Sequence, residues 1–282
     1  IEMNLEWRDK TESGFEYNVG VNMSTIRNRM TKLNGGTPIS DGPFRNGSMY
    51  LTYTNEGMPI GAFWGYKTDG LIQTQEQLNA VKRADFQPNA ELGDVLFVDT
   101  NGDGKLDSSD RCMIGNPIPD IIYGINMGMA WKGFDLNLQF GGTIGNQIFN
   151  AMRYYTYFPN DITNKDRALM NYWTPNNTNT DIPRLTATDV KDNDRFSDMY
   201  VENGTYFRLR NAQLGYTLPA SLTQRIKLQK VRFYVSGQNL FTISSYSGMD
   251  PEVGQSSSLS RGIDYGIYPQ NISFTGGINV TF

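Results

Sequence analysis

The sequence contains no histidine among its 282 residues, and its single cysteine is Cys112. Without histidine, Ser-His-Asp and Cys-His catalytic groups and His-ligated zinc sites are excluded. One cysteine cannot form an intrachain disulfide or a metal site built from several cysteines. Basic residues are also few, with 25 Lys and Arg against 29 Asp and Glu and a net charge of −4. Nucleic acid is therefore not expected as a partner, because phosphate binding requires a basic surface.

Long apolar runs are absent as well. No stretch approaches the roughly 18 consecutive apolar residues of a membrane-spanning helix. Charged residues make up only 19% of the chain, whereas aromatic residues reach 12% and glycine occurs 29 times. A composition rich in glycine and aromatic residues with few charges is typical of β-proteins, including those that expose an apolar face.

Apolar and polar residues alternate along several segments. From Phe15 to Ser24, every odd position is apolar and every even position is polar or glycine. This period of two predicts strands with one apolar and one polar face. The segments with this pattern are 1–8, 15–24, 123–131, 134–140, 206–218, 231–243 and 272–282. The pattern of 206–218 is less regular, which suggests a bulge, and residues 49–53 are a further possible strand outside the membrane.

The connections between these segments alternate between short and long. The short ones are 9–14, 132–133 and 219–230. The long ones are polar, rich in Asn, Asp, Gly and Pro, and comprise 32–120, 141–205 and 244–271. Outer-membrane barrels have short periplasmic turns, long extracellular loops and aromatic residues at the strand ends, here Trp7, Trp131, Phe134 and Phe282. The pattern favours a transmembrane antiparallel β-barrel over a soluble β-sandwich.

Seven strands are an odd number and fewer than the eight of the smallest bacterial barrels. An open sheet edge is not stable in hydrocarbon, where each unpaired backbone group costs several kcal/mol. We therefore expect residues 1–282 to be the C-terminal part of a larger barrel, whose remaining strands lie outside this chain.

The most specific local motif is DTNGDGKLDSSD at residues 99–110. Counted from Asp99 as position 1, the motif has oxygen-bearing side chains at positions 1, 3, 5, 9 and 12 and a glycine at position 6. This is the spacing of a calcium-binding loop. Position 12 carries Asp instead of the usual Glu, which shortens its reach. An Asx-rich turn is the alternative interpretation. The predicted ligands of a structural calcium ion are Asp99, Asn101, Asp103, the carbonyl of Lys105, Asp107 and Asp110.

Aromatic residues cluster in the long connection 141–205. Flat amphipathic rings can bind sugars or peptides and are common at protein interfaces, whereas packing within the loop is the alternative interpretation. The candidate residues for binding substrate or a partner are Tyr154, Tyr155, Tyr157, Tyr172 and Trp173. The sequence shows no nucleophile–base pair, phosphate loop or carboxylate pair, so catalysis is not predicted.

The chain also contains a series of short motifs in order. They are PIGAFWGYKTDG at 59–70, the NGDG loop that runs to Asp110-Arg111, IGNPIP at 114–119, NGTYFRLRN at 203–211 and VSGQNLF at 235–241, followed by a strand that ends at Phe282. In this combination the sequence resembles the SusC-like TonB-dependent transporters of Bacteroidetes. The resemblance covers the chain from about residue 59 to its end, and the first 58 residues agree by alternation more than by motif.

The resemblance implies a 22-stranded outer-membrane barrel with an N-terminal plug, energised by a TonB–ExbB–ExbD motor. It also implies a SusD-like surface lipoprotein that caps the barrel and captures substrate, usually glycans and sometimes peptides. Plug and early strands have no counterpart in residues 1–282. The expected function is import of oligosaccharides or peptides, with the long connections forming an extracellular rim that docks the lipoprotein. The alternative is a calcium-stabilised surface β-sandwich that binds carbohydrate.

The last strand matches the pattern of an outer-membrane insertion signal, which runs from a polar residue through a glycine to a terminal aromatic residue. Its apolar residues are expected to face lipid, with the final ring at the periplasmic interface. An ordinary amphipathic strand is the alternative interpretation. The residues assigned to the signal are Gly277, Val280 and Phe282.

Overall fold

The computed structural model describes residues 1–45, 47, 49–158, 164–186, 193–254 and 257–282. The strands are β1 (Glu2–Lys10), β2 (Glu16–Thr25), β3 (Ile39–Phe44), β4 (Met49–Thr54), β5 (Ala62–Gly65), β6 (Thr68–Leu71), β7 (Val95–Phe97), β8 (Cys112–Gly115), β9 (Ile121–Trp131), β10 (Phe134–Ile144), β11 (Gln147–Asn150), β12 (Val201–Asn203), β13 (Tyr206–Thr217), β14 (Lys230–Ser244), β15 (Ile263–Asp264) and β16 (Ser273–Thr281). The helices are α1 (Gln75–Arg83), α2 (Ala151–Tyr157) and α3 (Ala220–Thr223). Within the described ranges, no helix combines the length and the apolar character needed to cross a membrane.

The main sheet contains seven antiparallel strands in the order β1-β2-β9-β10-β13-β14-β16. Strands that are neighbours in this sheet also follow one another along the chain, apart from the short strands inside the long connections. The turn between β9 and β10 is Lys132-Gly133, where φ is 48° and 87°. Two consecutive positive φ values are those of a type I′ hairpin turn. The seven strands predicted from alternation are thus confirmed.

The strand register places the apolar residues of all seven strands on one face of the main sheet. One row crosses the whole sheet and contains Trp7, Val19, Met127, Leu138, Ala212, Gly237 and Phe274. Large apolar side chains on this face are exposed, to 61% at Val235 and 78% at Phe274. A soluble sandwich would cover such a face with a second sheet. The exposed face is instead that of a barrel wall in contact with lipid.

The opposite face is polar and crowded. A Cβ added at Gly128 would lie 2.3 Å from Asn18 Oδ1, and one added at Gly124 would lie 2.9 Å from the Asn22 amide. Glycine leaves room there for the neighbouring asparagine side chains. On the same face, Arg232 donates a hydrogen bond of 2.9 Å to Asp135 Oδ1. Charges paired in this way suit the polar interior of a barrel.

The predicted irregularity in the fifth strand of the sheet is a β-bulge. Leu209 and Asn211 pair with the adjacent residues Phe140 and Gln139, so Arg210 has no opposite partner in the ladder. After this extra residue the apolar positions change from odd to even numbers. The bulge therefore keeps the apolar side chains on the lipid-facing side.

The outer strands β1 and β16 each have one neighbour in the described sheet. Because seven strands alternate in direction, these two run the same way, and pairing them directly would create a parallel contact in an antiparallel sheet. An antiparallel barrel that includes this sheet therefore needs an odd number of further strands. Such closure removes the exposed edges that hydrocarbon does not tolerate.

The three long connections, 26–120, 145–205 and 245–272, all lie at one end of the main sheet and pack together; we call them the loop region. They contain a four-stranded sheet (β3-β4-β5-β8), a three-stranded sheet (β12-β11-β15) and the pair β6-β7. The predicted strand at 49–53 is β4, outside the main sheet. All three connections contribute to one core, including Phe63 from the first, Phe149 from the second and Ile263 from the third, each fully buried. The loop region is thus a folded unit with its own core.

Candidate functional site

The loop at residues 99–110 is closed by its own side chains. The carboxylate of Asp99 accepts hydrogen bonds from the backbone N–H groups of Gly102 at 2.7 Å and Gly104 at 2.8 Å. Asn101 and Asp103 accept similar bonds from the residues two positions further on. The bond from Gly104 is the main reason that the pKa of Asp99 lies below its usual value. The carboxylate is therefore charged at neutral pH.

The second half of the same loop is a short 3₁₀ helix, Ser108–Asp110, capped by Asp107. The hydroxyl and the backbone N–H of Ser109 both donate to Asp107, and the hydroxyl contributes most to lowering the pKa of that carboxylate. Asp110 is fully buried and accepts from the N–H groups of Thr100 and Asp107, each at 3.0 Å. Asp110 thereby joins the beginning of the loop to its end.

The donor atoms of this loop are all oxygens, as calcium requires. In the ranges that the structure describes, however, no three or more Asp, Glu, Cys or His side chains converge into a group able to hold a metal ion. The carboxylates are directed to backbone N–H groups, which is the arrangement of an Asx-rich turn. Calcium binding by the loop, with the Lys105 carbonyl among its ligands, stays a prediction.

The aromatic candidates are distributed over two cores of the loop region. Tyr154 is buried, with its ring 5.1 Å from that of Phe44 and its hydroxyl donating to Asp194 at 2.6 Å. Trp173 is buried in a second cluster, and its indole N–H donates to Gln73 at 2.8 Å. These two rings take part in packing. The other three candidates are half-buried: Tyr155, Tyr157 and Tyr172. Contact with a ligand stays a prediction for all five residues.

A buried ion-pair network joins the main sheet to the third long connection. Arg208 of β13 is almost fully buried, forms an ion pair with Asp250, and donates at 2.8 Å to both Glu252 and Thr242. Burial by itself would raise the pKa of Asp250, but hydrogen bonds from the N–H groups of Gln270 and Glu252 and the charge of Arg208 hold it below its usual value. Sequence analysis missed this network because Arg208 and Asp250 are 42 residues apart.

The three residues of the predicted insertion signal lie on both faces of β16. Gly277 faces Tyr234 on the polar side, where an added Cβ would lie 2.5 Å from the tyrosine ring. Val280 pairs with Val231 on the apolar side, and Phe282 follows the strand with 83% of its surface exposed. The final ring lies at the same end of the sheet as the Lys132-Gly133 turn. A role in assembly stays a prediction.

The main sheet has the two faces of an outer-membrane β-barrel wall, and the loop region lies at one end of that wall.

No family model matches the chain. TonB-dependent receptor P3 of Formosa agariphila is 36% identical over 293 residues, which cover 100% of this chain and 28% of that protein. TonB-dependent receptor SusC of Bacteroides thetaiotaomicron is 26% identical over 283 residues, which cover 100% of this chain and 26% of that protein. The chain thus spans little more than a quarter of the length of these relatives.

Solved structures show the same fold. The structure of the RagAB peptide transporter matches with a TM-score of 0.75 and 23% identity, over 100% of this chain and 28% of the other. The RagAB peptide importer in its open-open state matches with a TM-score of 0.74 and 24% identity, over the same shares of the two chains. Together with the relatives above, these matches confirm that the chain is a barrel segment resembling the SusC-like TonB-dependent transporters, and its location is the outer membrane.

Proposed function

We propose that this chain forms part of the barrel wall and the extracellular loops of a TonB-dependent outer-membrane transporter. The observation that carries this proposal is the two-faced main sheet, whose apolar side faces lipid and whose polar side faces a lumen. All three long connections lie at one end of that sheet, as in barrels with extracellular loops. The similarity to TonB-dependent receptors supports the same conclusion. The protein transports its ligand and does not catalyse a reaction.

The proposed partners follow from the geometry of the sheet and from the relatives. The edges β1 and β16 pair with strands from the rest of the same transporter, which also supplies the plug. The loop region docks a SusD-like lipoprotein that captures the substrate, and a TonB–ExbB–ExbD motor drives import through the plug. The mixture of aromatic and polar residues in the loop region supports such a docking role.

The proposed substrates are oligosaccharides or peptides. A lumen lined with asparagine, glutamine and paired charges offers hydrogen bonds to either class, as the contact between Arg232 and Gln213 at 3.0 Å illustrates. The carbohydrate-binding sandwich is not supported, because large apolar side chains such as Val235 and Phe274 are exposed on the apolar face of the main sheet.

Uptake by cells tests the proposed transport. We expect a strain lacking the full-length protein to lose accumulation of a labelled oligosaccharide or peptide mixture, and a plasmid copy to restore it. A strain that retains the protein but lacks TonB should fail in the same way, because import by this class depends on the motor. Uptake that continues unchanged without TonB would contradict the proposal.

A further inference from the structure

A row of aromatic side chains crosses the lipid-facing side of the main sheet next to its short connections; we call this end of the sheet the turn end. The strand register aligns Trp131, Phe134, Tyr216 and Phe233 in one row. The rings of Phe134 and Tyr216 are 4.6 Å apart, and Trp131, Phe134 and Phe233 are exposed. Such a row is typical of the level at which the hydrocarbon of a membrane meets its head groups.

The side chain of Lys132 lies beside this aromatic row. Its Nζ atom is 4.4 Å from the ring centre of Trp131, so the ammonium group is on the lipid-facing side of the turn end. Among the residues that the structure describes, no carboxylate forms an ion pair with Lys132. A lysine at this level covers apolar surface with its stem and keeps its ammonium group in the head-group layer. The charge of Lys132 is therefore placed where lipid head groups lie.

Lys132 also occupies a backbone position that disfavours lysine. Its φ of 48° is in the left-handed region. The first central position of a type I′ turn strongly prefers Asn, Asp or Gly, because other side chains crowd the backbone there. The geometry of the turn thus gives no reason for a lysine. This points to the ammonium group as the property that the position supplies.

The connection next to this turn is basic as well. The backbone N–H of Thr217 donates to the carbonyl of Gly133 at 2.7 Å, so the connection 219–230 begins beside the Lys132-Gly133 turn. It contains Arg225 and Lys227, and neither connection contains Asp or Glu. The chain as a whole has a net charge of −4. The turns that join β9 to β10 and β13 to β14 therefore carry a local excess of positive charge.

The remaining short connection does not share this charge. Residues 9–14 contain Asp9 and Glu12 with a single basic residue, Lys10. The Nζ atom of Lys10 donates to Glu16 on the lumen side at 2.7 Å. The basic surface is thus confined to the four strands that also carry the aromatic row.

We propose that the turn end of β9, β10, β13 and β14 binds the negatively charged phosphate of a glycerophospholipid in the adjacent membrane leaflet. Lys132 contacts the phosphate, and the aromatic row contacts the acyl chains next to the head group. A membrane lipid is favoured over a soluble phosphate because the ammonium group lies against a ring that itself faces lipid. In the proposed orientation this is the periplasmic leaflet. The inference rests on the proposed barrel wall and is independent of which ligand is imported.

Native mass spectrometry of the full-length protein in detergent tests the proposal. The probes are phosphatidylglycerol, the diacylglycerol with the same acyl chains, and glycerol 3-phosphate. They separate the head group from the chains, and a membrane lipid from a soluble phosphate. We expect phosphatidylglycerol to bind at least about fivefold more tightly than diacylglycerol, as the attraction of one basic residue for an anionic lipid allows. Glycerol 3-phosphate should not compete at the same concentration.

Variants connect this binding to Lys132. Lys132→Asn produces the Asn-Gly sequence that type I′ turns prefer, so the hairpin should form at least as well while its charge is lost. It should weaken binding of phosphatidylglycerol about fivefold, whereas Lys132→Arg should retain binding. The matched control is Lys10→Gln, at the same end of the sheet but on the lumen side, and it should change nothing. Heat-modifiable gel mobility confirms that each variant is folded.

Four results would overturn the proposal. They are equal binding of phosphatidylglycerol and diacylglycerol, effective competition by glycerol 3-phosphate, unchanged binding in the Lys132→Asn variant, and an equal loss in the Lys10→Gln variant. If one of these occurs while uptake in cells still requires TonB, the transport function stands and only the lipid site is wrong. Uptake that is independent of TonB, with lipid binding that depends on Lys132, would instead contradict the transport function alone.

Discussion

The main sheet and the loop region use the same residue types in opposite ways. Phe63 and Phe149 in the loop region are fully buried, whereas Phe274 in the main sheet is 78% exposed. In the loop region apolar side chains leave water by packing on one another. In the main sheet they lie on the outer face, where lipid replaces water as the surrounding solvent. The difference shows that the apolar residues of this chain are placed for water in the loop region and for lipid in the main sheet. The boundary between the two regions lies where the strands of the main sheet end.

The polar residues differ between the two regions in the same sense. In the main sheet, Asp135 and Arg232 pair on the lumen side, away from lipid. In the loop region, the buried carboxylate of Asp110 is satisfied by the N–H groups of Thr100 and Asp107. The main sheet thus turns its polar groups away from lipid, whereas the loop region pairs this buried charge with backbone donors.

Replacing a core phenylalanine should give the largest effect. Phe63→Ala should lower the free energy of unfolding of the loop region by about 3–5 kcal/mol, because it removes a fully buried ring. Urea unfolding followed by limited proteolysis of the loops measures this loss. The control is Phe274→Ala, whose ring touches lipid or detergent and should cost far less. Equal losses in the two variants would contradict the division between the regions.

Charge on the lipid face should give the next largest effect. Val235→Arg should destabilise the barrel by about 2–4 kcal/mol if this residue lies near the bilayer centre, because the charge enters hydrocarbon. The matched control is Ser236→Arg, one position along the same strand and on the lumen face. Unfolding of the full-length protein in lipid vesicles measures both. A reversed order would mean that the two faces have been assigned the wrong way round.

The lumen ion pair should contribute a smaller amount. A double-mutant cycle with Arg232→Gln and Asp135→Asn should show a coupling energy of about 1–2 kcal/mol, as for contacting residues that are partly shielded from solvent. The exposed pair Arg8–Glu6 is the comparison and should couple by less than about 1 kcal/mol. Coupling no greater than in the exposed pair would show that the lumen side is as well solvated as an open surface.

Calcium should have the most local effect. If the loop at 99–110 binds calcium, millimolar calcium should slow hydrogen exchange within it and leave the main sheet unchanged. Asp103→Ala should abolish that protection, with Ser108→Ala, an exposed residue outside the predicted ligand set, as a control. Because the hydrogen bond from Gly104 lowers the pKa of Asp99, protonation of this carboxylate should weaken calcium binding only at a more acidic pH than for an ordinary Asp. Identical exchange with and without calcium would leave the Asx-rich turn as the correct interpretation.

The strands and their two faces were predictable from the sequence because they depend on local backbone geometry. In a strand, successive side chains point to opposite faces, so the alternation from Phe15 to Ser24 is visible without any knowledge of its neighbours. The same holds for the alternation of short and long connections and for the bulge at Arg210, where the apolar positions change parity. These features need only the order of the residues.

The interior of the loop region was decided by the tertiary structure. Whether Tyr154 packs in a core or faces a ligand depends on Phe44 and Asp194, which come from distant parts of the chain. The pairing of Arg208 with Asp250 likewise joins segments far apart in sequence. Such contacts leave no periodic pattern in the sequence, because the packing of irregular connections depends on the shapes of many side chains at once.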